Sequence, residues 1–177
     1  MKIVVHDASI LIDLAICDAV EAWFATEVET WTSELIFPRE IEDPAQRRRL
    51  EAYAGSGKLR VHQTTEPAES LVEERDRLHR GLSLADTSVL LLTRKLGHDA
   101  VLATGDALLR RMAEAEKIKA CGILGLFDVM VKPPTGQAAV LPAAVAAAKL
   151  QSLLLHPECR LPREICQTKI KGWLGRA

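Results

Sequence analysis

The chain has 177 residues, 48% of them hydrophobic and 27% charged, which suits one domain with a sizeable core and is cramped for two full ones. Lys and Arg (23) nearly balance Asp and Glu (24) for a net charge of −1, which excludes a globally basic nucleic-acid binder and leaves a local basic patch open. The cysteines Cys17, Cys121, Cys159 and Cys166 form no C-x-x-C pair and no His lies at zinc-finger spacing, so no structural zinc site is expected.

Lys2 to Val5 is apolar and β-branched, the signature of a short strand buried on both faces. The opening MKIVVHDASI has no long apolar run behind a basic start, so no signal peptide is expected. From Ser9 to about Trp23, apolar residues at 10, 11, 14, 16, 20, 23 and 24 predict a helix. Glu27 to Ile36 suits a second strand, and Pro38 fits the first position of a helix through Glu40, Glu42 and Arg47–Arg49 to Tyr53. A turn at 55–57 precedes a third strand, KLRVHQT, and a charged helix from Ala68 to Arg80 stops at Gly81. Asp86 opens an apolar helix to Leu96, closed by Gly97. Ala100 to Ala103 is a fourth strand, Thr104-Gly105-Asp106 a tight turn, Ala107 to Lys117 a helix, and Lys117 to Leu124 a fifth strand.

Strands alternating with helix-length crossovers predict a three-layer α/β/α fold with a central parallel sheet. Pro133-Pro134 marks a joint, after which two helices are expected. The expected organisation is therefore residues 1–132 as the α/β body and 133–177 as a C-terminal helical appendage of the same domain. The stretch AAVLPAAVAAAKLQSLLL, broken by Pro142 and Lys149, falls short of a membrane span, so a cytoplasmic setting without a membrane partner is expected.

Four acids recur where a strand gives way to a helix: Asp7, Glu40, Asp86 and Asp106. In a parallel sheet all strands end on one edge, and ligands bind in the crevice outside it. Carboxylates gathered there repel one another unless cations sit between them, and hard oxygen donors suit Mg²⁺ or Mn²⁺. Helix capping accounts for some of this. Asp106 directly precedes ALLRRM, and Asp86 lies three residues after Ser83, near a capping-box arrangement. Glu40 has Glu42 and Asp43 close by. Asp7, directly behind an apolar strand, is the hardest to dismiss, and three aspartates along one edge exceed what capping alone supplies. The pattern points to a metal-dependent phosphodiesterase.

Competing chemistries lack their motifs: there is no G-x-S-x-G, no phosphate-binding P-loop and no G-x-G-x-x-G. The five histidines are isolated in sequence and read as packed or surface residues. The His6 side chain is expected on the strand face opposite Asp7.

The segments VVHDASILIDL, ELIFPREIED, LSLADTSVLLLTRKLG and VLATGDALLRRMAE, in this order over residues 3 to 130, resemble the PIN-domain ribonuclease family, especially the VapC-like toxins of bacterial toxin–antitoxin pairs. The resemblance implies that Asp7, Asp86 and Asp106 are metal-binding acids, with Glu40 as a further one and Glu42 its alternative. Ser9 and Thr104 match small hydroxyl residues near the metal. It implies an Mg²⁺- or Mn²⁺-dependent endoribonuclease that leaves a 5′-phosphate and a 3′-hydroxyl, an RNA substrate, a protein antitoxin and a possible homodimer. Arg47–Arg49, Arg94, Lys95, Arg110 and Arg111 could hold RNA phosphates without reading sequence. The rival reading is a catalytically silent PIN-like scaffold that binds an antitoxin or a nucleic acid.

Overall fold

The computed structural model describes residues 1–6, 8–38, 41, 43–133, 138–157 and 159–175. They fall into two compact units: residues 1–10 with 28–122, and residues 11–27 with 123–177. The first holds a five-stranded parallel sheet of β1 (Lys2–Val5), β2 (Glu29–Ser33), β3 (Leu59–His62), β4 (Ala100–Ala103) and β5 (Lys119–Cys121), in the order β3-β2-β1-β4-β5. The α/β fold expected from the sequence, parallel strands with flanking helices, is the fold observed.

Strand order fixes where a site belongs. The chain steps outward from β1 to β2 to β3, then crosses back to lay β4 on the other side of β1. The crevice outside the carboxyl ends of β1 and β4 is therefore the topological switch point. Val5 pairs with Ala103 in the last register of these two strands, and the His6 N–H continues the ladder by donating to the Ala103 carbonyl at 3.0 Å.

Helices of this unit are α3 (Pro44–Gly55), α4 (Ala68–Leu78), α5 (Leu84–Leu96) and α6 (Ala107–Ala115), the last leading into β5. The apolar face of α5 lies across β1, β2 and β4. Its Val89, Leu90 and Leu92 join Val4 of β1, Leu102 of β4 and Leu109 of α6 in one buried cluster. Fully burying each such side chain stabilises the fold by about 1.5–3 kcal/mol.

Among the described residues of the second unit are α2 (Val20–Phe24), α7 (Ile123–Val131), α8 (Ala143–Leu155) and α9 (Arg163–Trp173). Helix α1 (Ala8–Ile16) begins in the first unit and ends in the second. Trp23, Leu126, Phe127, Met130, Leu150 and Leu153 are fully buried here. Trp173 of α9 lies 5.8 Å from Phe127, centroid to centroid, and its indole N–H donates to Asp128 at 3.0 Å. No helix among the described residues is long and apolar enough to cross a membrane.

Four local expectations need correction. The single helix from Ser9 to Trp23 is two, because Asp18 takes a left-handed conformation (φ 53°), which Asp tolerates better than most residues. Lys149 Nζ caps the break by donating to the Asp18 carbonyl at 2.5 Å. The helix expected from Pro38 starts at Pro44, with Asp43 accepting the Gln46 N–H at 2.7 Å; an Asp cap followed by Pro is the stronger start signal. The charged helix from Ala68 ends at Leu78, and His79 Nδ1 takes the Gly81 N–H at 2.9 Å. The fifth strand ends at Cys121, because the apolar residues after it form α7, burying Ile123, Leu126, Phe127 and Met130 at helical spacing.

Burial pushes the Cys17 thiol up to about 11, against the opposing pull of the Lys149 ammonium. A thiol that is rarely a thiolate is a poor nucleophile. In native protein Cys17 should therefore resist alkylation at mildly alkaline pH while the half-buried Cys121 and Cys159 react first, as read by peptide mass spectrometry. Early labelling of Cys17 would show that the end of α1 opens readily.

Candidate functional site

The switch point is built from the ends of β1 and β4 and the starts of α5 and α6. Side chains alternate along a strand, so His6 shares a face with Val4, and Thr104 shares one with Leu102. That face is the one α5 covers, as the Val4–Leu102–Val89 cluster shows. His6 is thereby aimed at the first turn of α5, where Asp86 sits.

Asp86 is doubly held. Ser83 is the N-cap of α5 and completes a capping box: its hydroxyl accepts the Asp86 N–H at 3.0 Å, and its N–H donates to Asp86 Oδ2 at 2.6 Å. The other carboxylate oxygen, Oδ1, is bonded to His6 Nε2. Burial alone would raise the Asp86 pKa, but the hydrogen bonds from His6 and Ser83 outweigh it and hold the carboxyl below its usual range. An ionised carboxylate only accepts, so His6 Nε2 carries the proton. The remaining ring nitrogen, Nδ1, pairs with Thr104 Oγ1 at 3.0 Å. Thr104 is fully buried, and its Oγ1 also accepts the Asp106 N–H at 3.0 Å.

Asp106 is the N-cap of α6, with Oδ1 accepting the Leu109 N–H at 2.6 Å. Its side chain is exposed, and Oδ2 has no hydrogen-bond partner among the described residues. Arg110, one turn on, folds back so that Nη2 donates to the Thr104 carbonyl at 2.8 Å. A Cβ at position 122 would lie 3.3 Å from that same nitrogen, so Gly122 leaves room for the guanidinium at the sheet edge.

The structure thus joins two of the expected acids, Asp86 and Asp106, in one hydrogen-bonded chain through His6 and Thr104. Both acids also cap helices. Asp7, Glu40 and Glu42 lie outside the described residues, and Ser9 lies in the first turn of α1. His6 was missed by motif reading, which treated it as an isolated histidine. Its signal was the period-2 alternation that sets it on the face of Val4.

Several of the basic residues expected at RNA are engaged elsewhere. Arg47 and Arg48 donate to the carbonyls of Ile41 and Pro44. Arg94 joins Arg77, Glu74 and Glu116 in a surface ion network. Lys95 and Arg111 are exposed, and Arg110 reaches the switch point itself.

A family model described as a PIN domain matches residues 3–171. The chain belongs to the PIN-domain family. The match takes in α8 and most of α9 as well as the sheet, and no curated protein matches the chain. PIN domains are typically nucleases, which makes a nucleic acid the expected partner of the domain.

Nucleases of this family usually use divalent metals, and the donor chemistry of this PIN domain fits one. Asp106 offers an exposed carboxylate oxygen, and Asp86 is held ionised with lone pairs left on both oxygens. Hard carboxylate donors of this kind are what Mg²⁺ and Mn²⁺ take. Among the described residues no three His, Cys, Asp or Glu side chains come close enough to hold a metal.

Proposed function

We propose that this PIN domain is an Mg²⁺- or Mn²⁺-dependent endoribonuclease. The observation that carries the reading is the convergence of Asp86 and Asp106 at the β1/β4 switch point, beside the strand end that continues into Asp7. Asp7, Asp86 and Asp106 would hold the cation, with Glu40, or Glu42 in its stead, as the further acid. A divalent cation held by these residues would supply Lewis-acid polarisation of a phosphodiester oxygen and a more acidic water. The residues of the chain do the rest. Thr104 and His6 fix the acids, Ser9 would stand near the cation as the family resemblance implies, and Arg110 brings a guanidinium suited to an RNA phosphate. No nucleophilic side chain is required.

The family resemblance extends the reading to the toxin of a toxin–antitoxin pair with a small protein antitoxin. A homodimer is also proposed, supported by Leu155 and Ile165, which are 83% and 57% exposed on α8 and α9.

One observation favours the rival reading of a silent scaffold. Asp86 and Asp106 each serve a helix start, Asp86 in the Ser83 capping box and Asp106 as the N-cap of α6, and a scaffold without catalysis would keep both for that purpose. Purified full-length protein with Mg²⁺ or Mn²⁺ is expected to cut single-stranded RNA and to stop on addition of EDTA. If metal-loaded protein is inert across a broad RNA panel yet binds a partner tightly, the scaffold reading replaces this one.

A further inference from the structure

We propose that His6 is the positioning residue of the site, clamping the Asp86 carboxylate in a metal-ready orientation and coupling it to the Asp106 turn; this rests on the metal-site reading above. Helix capping explains only half of what Asp86 does. A capping box needs one carboxylate oxygen, and the Ser83 N–H on Oδ2 supplies that bond. The bond from His6 to Oδ1 comes from a different element 80 residues away in sequence and adds nothing to the helix start. Two donors on two different oxygens fix the carboxylate plane, whereas one leaves it free to swing.

The other ring nitrogen extends the constraint. With Nε2 on Asp86, the other ring nitrogen, Nδ1, pairs with Thr104 Oγ1, and Thr104 Oγ1 in turn accepts the Asp106 N–H. The linkage is continuous: Asp106 N–H to Thr104 Oγ1, Thr104 Oγ1 to His6 Nδ1, His6 Nε2 to Asp86 Oδ1. One imidazole therefore ties the end of β1, the start of α5 and the turn before α6. Its side chain is only 11% exposed, so both nitrogens need these partners. An apolar residue of the same shape would leave the Thr104 hydroxyl and Asp86 Oδ1 without theirs. Outer partners that orient metal-binding carboxylates are typically worth about 10–100-fold in metal affinity.

The test is Mn²⁺ binding by full-length protein, followed as loss of the free-ion electron paramagnetic resonance signal, with melting curves alongside. His6→Ala is expected to weaken Mn²⁺ binding about 10–100-fold. His6→Gln, whose amide N–H reaches the position of Nε2, should recover most of the affinity. His6→Asn, whose shorter amide reaches Thr104 but not Asp86, should not. A merely structural histidine would give Gln and Asn variants of equal affinity, and that result overturns the proposal. So does wild-type affinity in His6→Ala. If His6→Ala does not fold, the Gln and Asn pair still decides. A wild-type chain that takes up no Mn²⁺ defeats the metal-site reading itself and the role of His6 with it. That outcome differs from a failure of the His6 proposal alone, in which wild type binds and the variants do not separate.

Discussion

Asp106→Asn is expected to lower RNA cleavage by at least about a hundredfold while leaving the melting temperature nearly unchanged. Asn is as good an N-cap as Asp, so the bond to the Leu109 N–H, and with it the start of α6, is retained. What disappears is the negative charge on the exposed oxygen. The substitution thus separates the two roles the residue could play. Asp106→Ala, by contrast, loses the cap and about 1 kcal/mol of stability as well. Cleavage by Asp106→Asn at the wild-type rate would reduce Asp106 to a helix cap. Asp86→Asn is a less clean probe. Asn has one acceptor oxygen, so either the Ser83 N–H or the His6 N–H would face an amide N–H₂.

The second large effect concerns stability. Leu150 is fully buried in the second unit, where α8 packs on α7 and α9. Leu150→Ala should cost about 2–5 kcal/mol through lost burial and the cavity left behind. In a chain of this size that lowers the melting temperature by on the order of 5–20 °C. Truncation after Val131 should cost more, because it strips Ala146, Leu150, Leu153 and Ile170 from the unit that also holds Leu126, Phe127 and Met130. Differential scanning calorimetry with light scattering would read both stability and mass. A truncated chain that melts like the full one would show that the last two helices add nothing to the core.

Much of the fold was written locally. Short β-branched runs such as KIVV and AVLA, separated by helix-length segments, determined a parallel α/β sheet. The Ser83–Asp86 spacing determined how α5 starts, and Asp106 before ALLRR how α6 starts, because caps act within one turn of chain. The family was also legible, in the Asp86 helix followed by the A-T-G-D turn. The ends of elements were less so. Asp43-Pro44 outcompeted Pro38 as a helix start, and the left-handed Asp18 split a pattern that apolar period alone made continuous.

What only the tertiary structure decided is which of these residues meet. Strand order is set by the way crossovers fold back, and no local pattern encodes that β4 lies beside β1. That adjacency brings Thr104 against His6, and the packing of α5 on the same face brings Asp86 to the other ring nitrogen. A histidine isolated in sequence becomes the joint between two acids because hydrogen bonds over 80 and 98 residues of separation depend on the register of the sheet. Sequence supplied the acids and their caps; the switch point of the sheet supplied their convergence.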